Sequence, residues 1–202
     1  RESIASITRN DLVDFHKTYY RPDSTIIAVS GDVDAEKVVQ LFNKELADWK
    51  TDGEKPATLL PQASLPERTV KKINNIPDKQ QVDIVMGHRG IPRNHPHFYK
   101  FELMNHILGS APSVNRLERA LRGAGMAYRV FSRMNVSVGE GPWAVQMSVE
   151  PNNMDKAISK VTEQMKFMQN QPVGEDEFLD AKYSLMGGLP VYLENNENIA
   201  KE

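Results

Sequence analysis

The chain has 202 residues, enough for one large domain or two small ones with a real core. Lys plus Arg total 25 and Asp plus Glu total 27, so the net charge of -2 gives no electrostatic reason to expect nucleic acid or an anionic membrane as partner. There is no cysteine, which excludes disulfides, thiolate nucleophiles and Cys-based zinc sites, and no apolar run approaches the roughly 20 residues of a membrane span.

The N-terminus, Arg-Glu-Ser-Ile, lacks the basic-then-apolar layout of a signal peptide, and it does not begin with Met. The reading is a soluble chain, cut or processed from a longer protein, cytoplasmic or periplasmic. Thr8 opens a helix that carries Leu12, Phe15 and Tyr19, with Asp11 at its positive end. Arg21-Pro22-Asp23 breaks that helix. Thr25 to Ser30 is a short β-branched run and reads as a buried strand. Asp34 caps a second helix with Val38, Leu41, Phe42 and Leu46 on its apolar face. Residues 1–49 thus form a lead-in of helix, strand and helix. Residues 50–66, with Gly53, Pro56, Pro61 and Pro66, read as a surface linker.

Residues 67–202 read as the main body. Strands are expected at 69–73 and 82–87, followed by a turn over 90–94. Pro96 suits a helix start, because its missing N–H would be unpaired there anyway. Phe98, Phe101, Met104, Ile107 and Leu108 give that helix its apolar face, and Gly109 to Pro112 ends it. A short helix with Leu117, Ala120 and Leu121 runs into Gly123-Ala124-Gly125, where glycine tolerates positive φ. Strands follow at 127–136 and 143–149. Asn152 or Asn153 caps a helix carrying Ala157, Ile158, Val161, Met165 and Met168. A last helix carries Phe178, Leu179, Tyr183 and Met186, with Gly187-Gly188 as a break. Strands and helices come in adjacent pairs. That order predicts an α+β domain, a largely antiparallel sheet with helices packed on one face.

A zinc hydrolase needs two imidazoles on one helix face and a carboxylate. Neither His-x-x-x-His nor His-x-x-Glu-His occurs among His16, His88, His95, His97 and His106. Glu102 and His106 are four apart and could supply half a metal site, but a plain helical pair is the favoured reading. His95-Pro-His97 is a helix-start feature. Nucleophile elbows and phosphate loops are absent from the sequence, and Gly123-x-Gly125 follows a helix, the wrong context for a dinucleotide loop.

One segment stands apart, Asn115 to Tyr128. Arg116, Arg119 and Arg122 fall at i, i+3 and i+6 along one helix edge, and a glycine turn leads into a strand that opens with Tyr128. Such a joint can hold a guanidinium and a phenol near a peptide carbonyl or developing oxyanion. A solvated basic helix edge and a strand tyrosine explain the same spacing, and on spacing alone they are favoured.

Two stretches resemble the insulinase/pitrilysin family of zinc metallopeptidases, which includes mitochondrial processing peptidase and the core subunits of the bc1 complex. The first runs Ile7-Thr8-Arg9-Asn10-Asp11-Leu12, Phe15 to Asp23, then Ile26 to Val33. The second runs Leu103 to Gly109, Asn115-Arg116-Leu117, Leu121-Arg122 and Gly125 to Val130. Together they cover nearly the whole chain. The resemblance is to the family's second type of domain, which lacks the zinc motif and forms one side of a two-halved chamber around an extended peptide. It implies no catalytic residue and no metal ligand in this chain, zinc on a different domain or partner subunit, and a peptide substrate. It also implies that Arg122 and Tyr128 reach that substrate. Many family members have one more residue between the Arg and the Tyr, so Arg119 competes with Arg122 for the role. The reading is a non-zinc, substrate-binding domain of a zinc metallopeptidase. The alternative is a non-catalytic scaffold subunit of the same fold, like a bc1 core protein.

Overall fold

The computed structural model describes residues 2–51, 53–57, 60, 64–112 and 115–202. It divides into two compact units, Arg1–Leu59 with Leu189–Glu202, and Leu60–Gly188.

In the first unit, α1 (Glu2–Ala5) precedes α2 (Arg9–Tyr19). Thr8 and Asp11 form a reciprocal capping box: the Thr8 hydroxyl accepts from the Asp11 N–H, and the Asp11 carboxylate accepts from the Thr8 N–H. That bonding holds the Asp11 carboxyl below its usual range. After a 3₁₀ turn at Pro22–Ser24, α3 (Ala35–Glu45) starts at Asp34, whose side chain accepts from Lys37 N–H at 3.1 Å. Arg21 is buried, forked onto Asp23 and donating to the Gly53 carbonyl at 3.0 Å. The strand expected at 25–30 does not form. Ile26 is 94% exposed, and a β-branched run becomes a strand only where a ladder partner meets it.

The second unit holds the sheet. β1 (Val82–Arg89) is followed by α4 (Phe98–Asn105), which begins two residues after Pro96 with His97 at its cap. A π turn, His106–Ser110, continues α4, and a second π turn spans Glu118–Arg122. β2 (Ala127–Met134) and β3 (Pro142–Val149) follow. A 3₁₀ turn at Pro151–Asn153 leads into α5 (Met154–Asn170). The strand expected at 69–73 is absent, with Ile73 exposed, for the same reason as at 25–30. The described part of 50–66 has no helix or strand; the rest of that stretch, like Ser113 and Val114, lies outside the described residues.

α6 (Glu175–Tyr192) runs through Gly187, Gly188 and Pro190 without ending. Pro190 removes one helical hydrogen bond, yet Leu193 N–H still reaches the Leu189 carbonyl at 3.0 Å. The chain closes with α7 (Asn196–Lys201).

The three strands are antiparallel in the order β1-β3-β2, and helices cover one face. The α+β class with a largely antiparallel sheet is what the order of elements predicts. Trp143, Val145, Met147 and Val149 alternate along β3 onto the covered face, against Leu108, Leu117, Leu121, Ala157 and Val161. Burying an aliphatic side chain of this size contributes about 1.5–3 kcal/mol. Polar groups in that layer are paired: Trp143 Nε1–H donates to Asn105 Oδ1 at 2.7 Å, and Ser132 Oγ–H to the Asn105 carbonyl at 3.3 Å.

Gly109 lies where this layer is tightest. A β-carbon there would come within 2.7 Å of Leu117 Cδ1 and of Ser132 N and Oγ. Alanine normally gains about 1 kcal/mol over glycine in a helix. Here backbone stands in the way, so overpacking decides the sign. Gly109→Ala should lower stability by about 1–3 kcal/mol in chemical denaturation; an unchanged or raised midpoint would contradict the packing described.

Candidate functional site

The joint from Asn115 to Tyr128 is assembled by local bonds. Asn115 is buried; its Nδ2–H donates to the Ala111 carbonyl and its Oδ1 accepts from Glu118 N–H, both at 2.7 Å. The π turn then closes with Gly123 N–H on the Glu118 carbonyl at 3.0 Å. Met126 N–H bonds the Leu121 carbonyl at 2.8 Å, and Gly125 takes φ +68°, where a side chain would be strained. β2 enters with a bulge: Ala127 faces Val149 and Arg129 faces Ser148, leaving Tyr128 as the extra residue, exposed.

The three arginines do not share a surface. Arg116 is only 8% exposed. Its guanidinium forks onto the Glu177 carboxylate at the start of α6 and stacks 5.0 Å from the Phe167 ring. Arg119 adds a third bond to Glu177 at 3.0 Å. Arg122 is exposed and pairs with Glu118 one turn back. The uniform basic edge expected from spacing therefore divides into one buried arginine and two exposed ones, Arg119 on Glu177 and Arg122 on Glu118. Glu177 carries this arrangement, and its distance in sequence left no local signal. The Arg116 bond holds the Glu177 carboxyl below its usual range, and Glu177 raises Arg116.

Tyr128 donates its phenol to Glu150 Oε1 at 2.9 Å, and that bond pushes the phenol's pKa up. The hydroxyl thus stays protonated, able to donate. Arg122 and Tyr128 bond different carboxylates, and no hydrogen bond joins them.

His106 is buried at the head of the first π turn. Its Nε2 lies 3.0 Å from Ser184 Oγ on α6, and burial lowers its pKa, keeping the ring neutral. A cleft of about 660 Å³ opens beside it, lined by Ile107, Arg119, Asp176, Glu177 and Asp180. The Glu102 side chain is not part of that bond; Glu102 contributes its carbonyl to the His106 N–H. His95 Nδ1 accepts from His97 N–H at 3.1 Å, a turn contact. A single imidazole tied to a hydroxyl does not fit zinc, and among the described residues no three His, Cys, Asp or Glu side chains gather to hold a metal. No helix among them is long and apolar enough to cross a membrane.

The family model described as the Peptidase M16 inactive domain matches residues 6–185. The chain belongs to this family. A protein named an uncharacterized zinc protease, from Mycobacterium leprae, is 24% identical over 204 residues, covering 98% of this chain and 44% of its own length. The chain spans about half the length of the curated relatives it matches. In fold, a protease from Helicobacter pylori superposes with TM-score 0.85 at 18% identity, over 99% of this chain and 49% of that one. A chain of Complex III2 from Candida albicans gives 0.74 at 16% identity, over 99% and 48%.

Within the M16 inactive domain, the Arg116–Glu177 fork ties the joint to α6. Glu177→Gln leaves a buried guanidinium without its charge partner and should cost about 2–3 kcal/mol, less than a fully enclosed pair because Glu177 is partly exposed. The carboxyl is depressed in the folded state. Its contribution is therefore complete above the unfolded value of about 4.3 and is lost as pH falls through the folded one. Denaturation curves from neutral pH to pH 3 should show the wild type losing this increment and Glu177→Gln lacking it; parallel curves would contradict the assignment.

Proposed function

We propose that this chain is the non-zinc, substrate-binding half of a zinc metallopeptidase, with zinc held on a different domain or on a partner subunit. The observation that carries it is the match to an inactive peptidase domain, together with zinc-protease relatives about twice as long. A peptide is then the substrate. Tyr128 exchanges Glu150 for a peptide carbonyl, and Arg122 exchanges Glu118 for the same group. Both present partners are exposed or part-exposed carboxylates on the surface, and such bonds are weak enough to trade.

The second reading is a non-catalytic scaffold subunit. The fold shared with the Complex III2 chain favours it, as does the separate engagement of Arg122 and Tyr128.

The test is kinetic, in the full-length parent with whatever partner bears the metal. Tyr128→Phe should lower kcat about 10²-fold and change KM much less, because an oxyanion donor acts in the transition state. Unchanged kinetics would remove Tyr128 from the site, and a parent assembly without zinc or hydrolysis would favour the scaffold. This chain alone should bind no stoichiometric zinc; one tightly held zinc per chain by elemental analysis would refute the division of labour.

A further inference from the structure

A pocket of about 210 Å³ lies inside the second unit, between the covered face of the sheet and the helices α4 and α5. Its floor is Trp143 and Leu108, which are 2% and 1% exposed. Met104, Met165 and Met168 form its walls, all partly buried against the core. Phe101 stands edge-on to Trp143, with the ring centroids 6.4 Å apart. Aromatic faces and thioethers are the surfaces that a flat ring packs against best, because both are polarizable and methionine adapts its shape.

The polar groups of this pocket are few, and they are not equivalent. The Trp143 indole N–H is already spent on Asn105 Oδ1 at 2.7 Å, so the floor offers a ligand no polar partner. His88 also lines the pocket, at the end of β1, with its ring 5.0 Å from that of Trp143. Its Nδ1 lies 2.6 Å from the Arg89 carbonyl. A carbonyl only accepts, so Nδ1 carries the hydrogen and Nε2 of the neutral ring is an acceptor. Among the described residues no hydrogen bond reaches Nε2. Gln169 contributes an exposed amide near the end of α5. Size narrows the ligand further. A cavity of about 150 Å³ is enough for benzene, and drug-sized ligands need about 300 Å³ or more. The pocket therefore holds one ring or a fused pair.

We infer that this pocket binds a free small aromatic molecule that carries one N–H or O–H donor, an indole or a phenol. The ring lies against Trp143 and the methionines, and the donor bonds His88 Nε2. The site shares no residue with the Arg122–Tyr128 joint and stands apart from the peptidase reading. A tryptophan or tyrosine side chain has the same ring, but it brings flanking peptide groups to a rim where His88 and Gln169 are the polar side chains. The free molecule needs a single acceptor, which is what His88 provides.

The test is NMR of the full-length parent protein carrying ¹³C-methyl methionine, with the Met104, Met165 and Met168 signals assigned by leucine substitution. Indole is the probe. Benzofuran, which has the same shape without the donor, and a glycine-flanked tryptophan peptide are the comparators. Indole should shift the methyl signals of Met104, Met165 and Met168 saturably and bind about three- to tenfold tighter than benzofuran, the contribution of one net hydrogen bond. His88→Phe, a change at an exposed position, should remove that preference and leave benzofuran binding in place. Met168→Trp fills the pocket and should abolish the response of Met104 and Met165 to indole. Absent or unsaturable shifts, equal affinity for benzofuran, a preference that survives His88→Phe, or an indole response that survives Met168→Trp would each overturn the inference. Tighter binding of the peptide than of indole would overturn it as well, in favour of a chain-borne ring.

Discussion

A guanidinium that is 8% exposed must be paired, and among the described residues Glu177 is the carboxylate that pairs Arg116. That one constraint fixes the joint. It pins the helix after Asn115 to the start of α6, while local bonds close the second π turn and lead into β2. The desolvation cost of burying Arg116 is offset by two fork bonds, the stacked Phe167 ring and the added bond from Arg119 to the same carboxylate. Arg116 is spent on structure, while Arg119 and Arg122 both face outward, each held by a carboxylate. Exposure does not separate Arg119 from Arg122; they differ in partner, Glu177 for one and Glu118 for the other.

The buried face of the sheet follows from the same region. Asn105, the last residue of α4, accepts from the Trp143 indole through its side chain and from Ser132 through its carbonyl. The chain widens into a π turn immediately afterwards. Gly109 at the end of that turn permits contact with β2 that no β-carbon would allow. The second π turn, Glu118–Arg122, follows Asn115 and likewise packs against β2. Such turns concentrate at functional sites because they trade regular bonding for an altered side-chain direction. Here they aim His106 at Ser184 and bring Leu121 into the core.

Much of this was legible in sequence where the cause is local. Thr8 with Asp11, Asp34 before α3, and Gly125 at positive φ are each decided within four residues. The alternation in β3 is likewise a local signal with a single consequence. Strands at 25–30 and 69–73 were misread because propensity describes a residue's fit to a sheet, and the sheet partner is supplied elsewhere. Gly187-Gly188 reads as a break, yet the helix runs through both glycines and through Pro190. Arg116 looked like its neighbours because Glu177 is 61 residues away, and no periodicity connects them. The candidate pair was found through resemblance, and spacing alone gave it no precedence.

On the peptidase reading, the domain shapes the reaction by what it presents. On the peptidase reading proposed above, Tyr128 and Arg122 each hold an exposed or part-exposed carboxylate that a substrate displaces at small cost. A peptide carbonyl is a weaker acceptor than a carboxylate in the ground state. It becomes competitive as negative charge develops on its oxygen, and exchange from Glu150 and Glu118 is then favoured in the transition state more than on binding. On that reading the local carboxylates tune the contribution: the resting bonds keep the donors ordered, and a developing oxyanion releases them.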